Sequence, residues 1–565
     1  MRIRMLEGLC TRGSQTWGCG VRPTSVDRFN EIPHLPGSAA LVVLAVLALG
    51  ILVVDYGRIL LLRRKLPPGP FPFPIVGNHY QISKDRPWIQ WAEWAEYYQN
   101  PLTTIWVGRE PRIIVQDAWV ASDLLEKRAD IFSSRPRLVV LGDVVDATTT
   151  NQTMLVYGDR WRIHRKLMHG AVGVQAVRGY RSAQANESKI LTRDLLNNPT
   201  DFVLSIERYS VSLTSIVGWG RRIDKTNDDT AQFALDFMEA VNYVVPGFFL
   251  MESVPFLTKL PSFIYSLPSK IEKTATSSLR YFYMLTQEGA QAQVPTFAKN
   301  LLEAQSEFNL NDKEVSNMAA NLIGGGVDTT SSTMVSFILA MAYFPNVQKK
   351  VHEELDRVVG RDRSPNWEDI DKNLPYVMAT VKEVLRWRTV TILAGIPHAN
   401  TVDYQYRGYH IPAGTNITGN MWAIHRNPRD FPEPDVVRPE RFLGALENPY
   451  PNSRGSNPFG FGRRQCSGQP MAEQGLYYSL ARIAWAFDIQ PGLDENGDEV
   501  KLDIFAYTNT ENMRPEPFKV RFVPRTPELE EMVISEAADA REELRIYDRE
   551  TKVKMKDALA SSKTF

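Results

Sequence analysis

Cys466 is the one cysteine after residue 19, and it stands in NPFGFGRRQCSGQPMAEQG (Asn457 to Gly475) among four glycines and two arginines. Cys10 and Cys19 could pair with each other, which leaves Cys466 without a partner near it in sequence. A thiolate is a soft ligand suited to iron. Gly462 and Gly468 would let the main chain approach a flat macrocycle where a side chain would clash. Amides turned toward the sulfur, and the N-terminus of a following helix, would lower the thiol pKa. That helix is marked by the apolar stripe Ala472, Leu476, Leu480 and Ala484. Arg464 offers a planar fork to a carboxylate. The competing reading is an inert cysteine in a turn.

A second group lies inside the longest helical pattern. It opens at NDKE, where Asn311 and Glu314 have capping-box spacing, and runs to Phe344, before Pro345, ~50 Å if unbroken. Within it is GGGVDTTSS (Gly324 to Ser332). Each mid-helix glycine costs roughly 1 kcal/mol against alanine, so three in a row need a reason. Small residues here would leave room for a ligand, and a hydroxyl would loosen the local helix ladder. The alternative makes Asp328 or Thr329 the cap of a new helix at Ser331. Elsewhere, Glu383 and Arg386 have i,i+3 spacing, and Trp161 and Arg165 have i,i+4 spacing. His398 is open to a binding or a structural role, and His425 reads as structural.

Taken together these segments resemble the cytochrome P-450 superfamily. Phe459-x-x-Gly462-x-Arg464-x-Cys466-x-Gly468 matches its haem-binding signature at every fixed position, and Gly325 to Thr330 matches its oxygen-side helix pattern. The resemblance covers about Leu66 to Arg525. It implies Cys466 as axial ligand to haem b iron, with Phe459 shielding the sulfur and Gly468 close to the macrocycle. It also implies Thr329 and Asp328 as the acid–alcohol pair that handles protons. Arg464, Trp161, Arg165 and His398 would meet the propionates, and Glu383, Arg386 and Arg441 would form a structural network. Arg162 and Lys166 would belong to a basic face that receives a reductase. The implied activity is monooxygenation by O2 of a small or medium lipophile, with electrons from NADPH through a separate reductase. A fungal polyketide, phenolic or terpenoid intermediate is the substrate expected. Substrate would be lined by residues 137–154, the long helix near Ile323, Thr389 to Ile396 and Ala506 to Asn512. A haem-thiolate isomerase or dehydratase, and a non-catalytic haem-binding membrane adaptor, are the rival readings. Asp328 and Thr329 speak against both.

The elements that must position these residues are mainly helical. The chain has 565 residues, enough for more than one lobe. Sixty-five basic residues balance 65 acidic ones, so bulk charge does not point to nucleic acid. Helical patterns recur at NVQKKVHEELDRVVG and YVMATVKEVLRWR, and strand-like alternation is confined to pieces such as YQYRGYHI. The expected fold is mainly α with a minor β lobe, the P-450 fold, preceded by a transmembrane helix. The anchor, GSAALVVLAVLALGILVV, has no charge, and Arg58, Arg63, Arg64 and Lys65 beyond it put the body of the chain in the cytosol. The expected location is the endoplasmic-reticulum membrane, crossed once, with the sequons at Asn151, Asn186 and Asn416 away from glycosylation. The expected divisions are 1–36, a lumenal extension; 37–62, the anchor; 63–78, a stiff Pro-rich spacer; 79–525, the catalytic domain; and 526–565, a solvated helical tail. In that tail Asp548–Lys552 and Glu550–Lys554 are spaced to pair along a helix.

Overall fold

The computed structural model describes residues 37–244 and 249–560, so the expected 1–36 extension lies outside the described residues. The chain divides into Met1–Asp55 and Tyr56–Phe565. Helix α1 (Gly37–Arg63) carries Leu41–Arg63, long and apolar enough to cross a membrane. Its large side chains from Leu41 to Val54 are exposed, as a helix needs when its solvent is lipid.

The body is helical because the sequence supplies caps and apolar stripes at the right places. In chain order the helices that frame the site are α2 (Asp159–Val172), α3 (Arg181–Asn197), α4 (Phe202–Trp219), α5 (Asp229–Val244) and α6 (Leu267–Gly289). They are followed by α7 (Asp312–Tyr343), α8 (Pro345–Val358), α9 (Pro375–Trp387), α10 (Gln469–Ala486), α11 (Pro527–Glu543) and α12 (Met555–Ala560). Helix α7 begins at the capping box Asn311/Glu314 and runs unbroken past Ser331, which excludes a new helix there. Its neighbours are α4, α5 and α6. Glu314 also accepts His164 Nε2–H at 3.0 Å and the Arg160 guanidinium, tying α2 to the start of α7.

The β component is small. Strands β1 (Leu102–Val107), β2 (Glu110–Val115), β3 (His398–Ala399) and β6 (Asn416–Gly419) form one sheet in the order β1-β2-β6-β3. Only the β2–β6 pair is parallel. The YQYRGYHI segment is a hairpin of β4 (Tyr404–Tyr406) and β5 (Tyr409–Ile411), and β7 (Phe487–Pro491) pairs β8 (Val520–Pro524). The architecture expected from the sequence, mainly α with a minor β lobe, is the one found.

Two expectations about the flanks are corrected. The Pro-rich segment is part of the body and not a spacer: Thr104 N–H donates to Pro68 O at 2.9 Å, and Asn78 Oδ1 accepts Trp106 N–H at 2.7 Å. Proline carbonyls remain acceptors although the ring removes a donor, so the segment serves as an edge for β1. The tail is not solvated throughout either. Helix α11 buries Leu529, Val533, Ala537 and Ala540 and pairs Glu536 with Arg482 at 2.6 Å. It ends at Glu543, residues 548–554 are not helical, and Asp548 pairs with Arg541 at 2.9 Å instead of Lys552. Small residues every three or four positions, hidden among charges, made this apolar face hard to see. Asn186 and Asn416 are buried, so two of the three sequons cannot carry a glycan on the folded body.

Behind the cysteine loop, Glu383 and Arg386 form a fully buried fork at 2.7 and 2.8 Å, and Arg441 Nε joins the same carboxylate at 3.3 Å. Arg386 also donates to the His425 carbonyl at 2.8 Å. Removing one partner strands buried charge on the others, which costs about 3–5 kcal/mol. Glu383→Gln is therefore expected to lower unfolding stability by that amount, read by chemical denaturation; a change below ~1 kcal/mol would mean the network carries little of the fold.

Candidate active site

The cysteine loop is set by three fixings. Cys466 N–H donates to Phe459 O at 2.9 Å, closing the loop on itself. At its start, Asn457 N–H donates to His425 Nε2 at 3.0 Å, and His425 Nδ1 meets Thr389 Oγ1 at 2.6 Å. Because Nε2 accepts, the ring is neutral with its proton on Nδ1; burial, Arg386 and Arg426 hold it far below the usual imidazole range. His425 is structural, as read from the sequence. Gly462 has φ +53° and stands so close to the Leu125 carbonyl that a Cβ would strike it. The expectation that Gly462 makes room for a macrocycle is thus corrected: its lack of a side chain serves packing against Leu125. Gly468 faces no such neighbour; a Cβ there would meet only Cys466 Sγ, at 3.8 Å.

The thiol is exposed, yet protein surrounds it closely enough for burial to push its pKa up. The amides of Gly468 and Gln469 and the charge of Arg165 pull the other way and are outweighed. A net lowering was expected, and the correction has a physical cause: desolvation of a thiolate exceeds what two amides and the nearest guanidinium return. A metal ion at the sulfur reverses that balance.

Trp161 and Arg165 converge on this loop, as their spacing implied. Arg165 donates to Ser467 Oγ at 2.9 Å, and the Arg464 guanidinium lies 4.7 Å from the centre of the Trp161 ring. Arg464 itself donates to the carbonyls of Ser133, Gln152 and Leu155 at 2.7, 3.3 and 2.6 Å, leaving two of its five N–H groups. His398 is buried beside it, and its Nδ1–H donates to Phe132 O at 2.8 Å. Burial, Arg135 and Arg464 take His398 down to about 3, so it is neutral with Nε2 as an acceptor. Arg135, which sequence reasoning missed, donates to Thr153, Ile396 and Pro397 carbonyls at 2.7, 2.6 and 2.9 Å. The only sequence signal for it was an arginine fixed before a proline in SSRPR.

On the opposite side, the three glycines of α7 have different reasons. A Cβ on Gly324 would strike Met238 of α5, and one on Gly326 would strike Thr214 of α4. Gly325 is exposed in mid-helix and a Cβ there would meet nothing, so only this glycine fronts open space. Thr329, one turn on, shares that face and donates to Gly325 O at 2.6 Å. Ile323 itself does not: it is buried in the cluster that holds Val211 and Phe282, some 200° round the helix, so the stretch near it fronts open space through Gly325 and Thr329. Asn321 Nδ2 donates to Asn151 at 3.1 Å, while the next residue, Gln152, donates to Ser467 at 3.2 Å. Two consecutive residues therefore join the open face of α7 to the residue beside Cys466.

The profile of the family described as "Cytochrome P450" matches residues 67–512. The chain belongs to the cytochrome P450 family. Among similar curated proteins, cytochrome P450 monooxygenase 58 of Postia placenta is 31% identical over 507 residues, 87% of this chain and 95% of that protein. Cytochrome P450 monooxygenase virE of Hypocrea virens is 32% identical over 85% of this chain and 90% of its own length. Tryptamine 4-monooxygenase of Psilocybe cyanescens is 33% identical over 83% and 94%. This P450 is a haem-thiolate monooxygenase, an oxidoreductase that uses O2 and takes electrons from a reductase.

The residues of this P450 fit a haem by their own chemistry. Burial and Arg464 lower the pKa of Arg135, burial and both of those arginines lower that of His398, and burial and Arg165 take Arg464 down to about 9. Among the described residues none of these four groups has a carboxylate partner. Three part-buried guanidiniums set together in this way are completed by a dianion, and the porphyrin's two propionates are one. Residues 393–395 are held by Glu511, which lies in a segment expected to line the pocket but is given no role of its own by the sequence. Its buried Oε1 accepts the amides of Leu393 and Gly395, both at 3.3 Å, and Oε2 has no partner. Burial raises this carboxyl to about 8.

A carboxyl whose folded pKa is raised binds its proton more tightly in the native than in the unfolded chain. Stability from this group is thus full below about pH 4.5 and is lost as pH climbs toward about 8. Thermal unfolding of the P450 should show Tm falling from pH 5 to pH 8 by more than in Glu511→Gln, a difference on the order of a few kcal/mol. Parallel pH profiles for the two proteins would remove Glu511 from this account.

Proposed function

We propose that this P450 hydroxylates, epoxidises or similarly oxidises a small or medium lipophile in fungal secondary metabolism, from an endoplasmic-reticulum membrane that α1 spans once, with its body in the cytosol. The observation that carries the reading is the set of Arg135, Arg165, Arg464 and His398 gathered around the one cysteine of the body. Cys466 is the residue that would ligate the iron of haem b. Arg464, Arg165 and Trp161 would hold propionates through remaining N–H groups, with Arg135 supplying charge. His398, neutral with an accepting Nε2, would meet a propionate only on taking up a proton. Phe459 and Gly468 would flank the sulfur. When bound, the haem supplies reduction of O2 with two electrons from NADPH through a cytochrome P450 reductase, one oxygen atom entering substrate and the other leaving as water.

The chain's own residues supply position and protons. The Thr329 O–H is committed to Gly325 O, so its oxygen is free to accept from a protonated group placed against the open face of α7. Asp328, buried one residue earlier, can carry protons to that face. Ala394 and Ile396 are apolar and only part-buried, and Thr508 and Thr510, near Asn512 in sequence, add hydroxyls, which suits a neutral lipophile with some polar groups. The fungal origin of the three relatives supports the metabolic setting. Arg162 and Lys166 on α2 are exposed and available to an acidic reductase surface.

Cys466→Ala should abolish the thiolate-type carbon-monoxide spectrum; retention of that spectrum would contradict the ligand assignment. Thr329→Ala should keep haem while diverting most electrons from NADPH to hydrogen peroxide, an effect of about tenfold on the peroxide-to-product ratio. Full coupling in that variant would take Thr329 out of proton handling. Comparing metabolites of cells with and without the active protein names the substrate class.

A further inference from the structure

Asp328 is held by two amides from different parts of the chain. Asn242 Nδ2, at the C-terminal end of α5, donates to Asp328 Oδ2 at 2.8 Å. Asn512 Nδ2 donates to the same oxygen, also at 2.8 Å. All three side chains are buried. The orientation of Asn512 is fixed in turn: its Oδ1 accepts the Thr391 hydroxyl at 3.0 Å, which turns its NH2 toward Asp328. Thr391 and Asn512 also pair through their main chains.

Two N–H donors fill both lone-pair positions of one carboxylate oxygen. A proton carried by Asp328 must then ride on Oδ1, because Oδ2 is occupied and a neutral amide has no proton to pass on. The geometry points to Asn242 and Asn512 as positioning residues that fix which oxygen of Asp328 exchanges protons. Each belongs to a segment other than α7. Asn512 stands in the turn that packs on residues 391–395, and Asn242 ends the helix whose Met238 closes against Gly324. The orientation of Asp328 therefore depends on how α5 and the 391–395 and 508–512 segments are seated. Whatever displaces those segments, including a substrate lying against them, also loosens the carboxylate. This inference rests on the reading of Asp328 as a proton carrier.

The test uses the full chain loaded with haem and reconstituted with a cytochrome P450 reductase, turning over without added substrate. NADPH consumption and peroxide release are followed in H2O and D2O for Asn242→Leu, Asn512→Leu, Asp328→Asn and the double variants, alongside crystal structures of the single ones. A thiolate-type carbon-monoxide spectrum checks that the haem side of each is intact. Each leucine variant should change the rate or its solvent isotope effect by about threefold or more, and should do nothing further in the Asp328→Asn background. The crystal structures should show the Asp328 side chain rotated or split between two orientations. An unchanged Asp328 rotamer, or leucine effects that persist in full without the aspartate, overturns the proposal. Should a leucine variant fail to fold, Asn512→Asp keeps the shape, replaces donors by a like charge, and is read in the same way. If Asp328→Asn itself matches wild type, the proton-carrier reading fails and this inference falls with it. An effect of Asp328→Asn with silent asparagine variants overturns the inference alone.

Discussion

Positive charge with no carboxylate partner among the described residues is the constraint around which this site is built. Arg135 and Arg464 lie together with the neutral His398; Arg464 lowers the proton affinity of Arg135, both lower that of His398, and Arg165 lowers that of Arg464. Main-chain carbonyls of residues 133, 152, 153, 155, 396 and 397 accept from two of the guanidiniums, which fixes their direction but does not neutralise them. The same residues hold the loops on which they depend. A single arrangement thus collects anion-binding groups and braces the walls around Cys466.

The bracing continues behind the cysteine. The Glu383 carboxylate orients Arg386, Arg386 grips the His425 carbonyl, and the His425 ring receives the amide of Asn457 at the head of the cysteine loop. On the other side Glu314 completes a helix cap while binding Arg160 and His164, so α7 and α2 start from one carboxylate. These links run from α9 to the head of the cysteine loop and from α2 to the start of α7. Function depends on them through geometry, because neither Glu383 nor Glu314 borders the reacting space.

Much of this was legible in the chain, and what was not has a common cause. Motifs of fixed local spacing singled out Cys466, Asp328 and Thr329 as candidates, and anticipated the Glu383–Arg386 pair and the convergence of Trp161 with Arg165, since a helix turns i,i+4 spacing into proximity. Arg135 and Asn242 escaped, as did the individual contacts of Ser467, Glu511 and Asn512 within segments that were singled out, because their partners are distant in sequence and residue type alone does not reveal long-range hydrogen bonds. The glycine run shows the limit within a motif. Three adjacent glycines looked like one feature, yet they answer to α5, open space and α4 in turn. The tail misled through composition: its charges suggested solvent, while four small or branched residues at helical spacing dock it on the body.

The central claim is a bond between Cys466 sulfur and haem iron. Resonance Raman spectroscopy of the ferric, haem-loaded chain tests it most directly, with Cys10 and Cys19 replaced by serine and cysteine labelled with heavy sulfur. A band that moves to lower frequency with the label is the iron–sulfur stretch this account requires. A haem-loaded chain with no sulfur-sensitive band would contradict it.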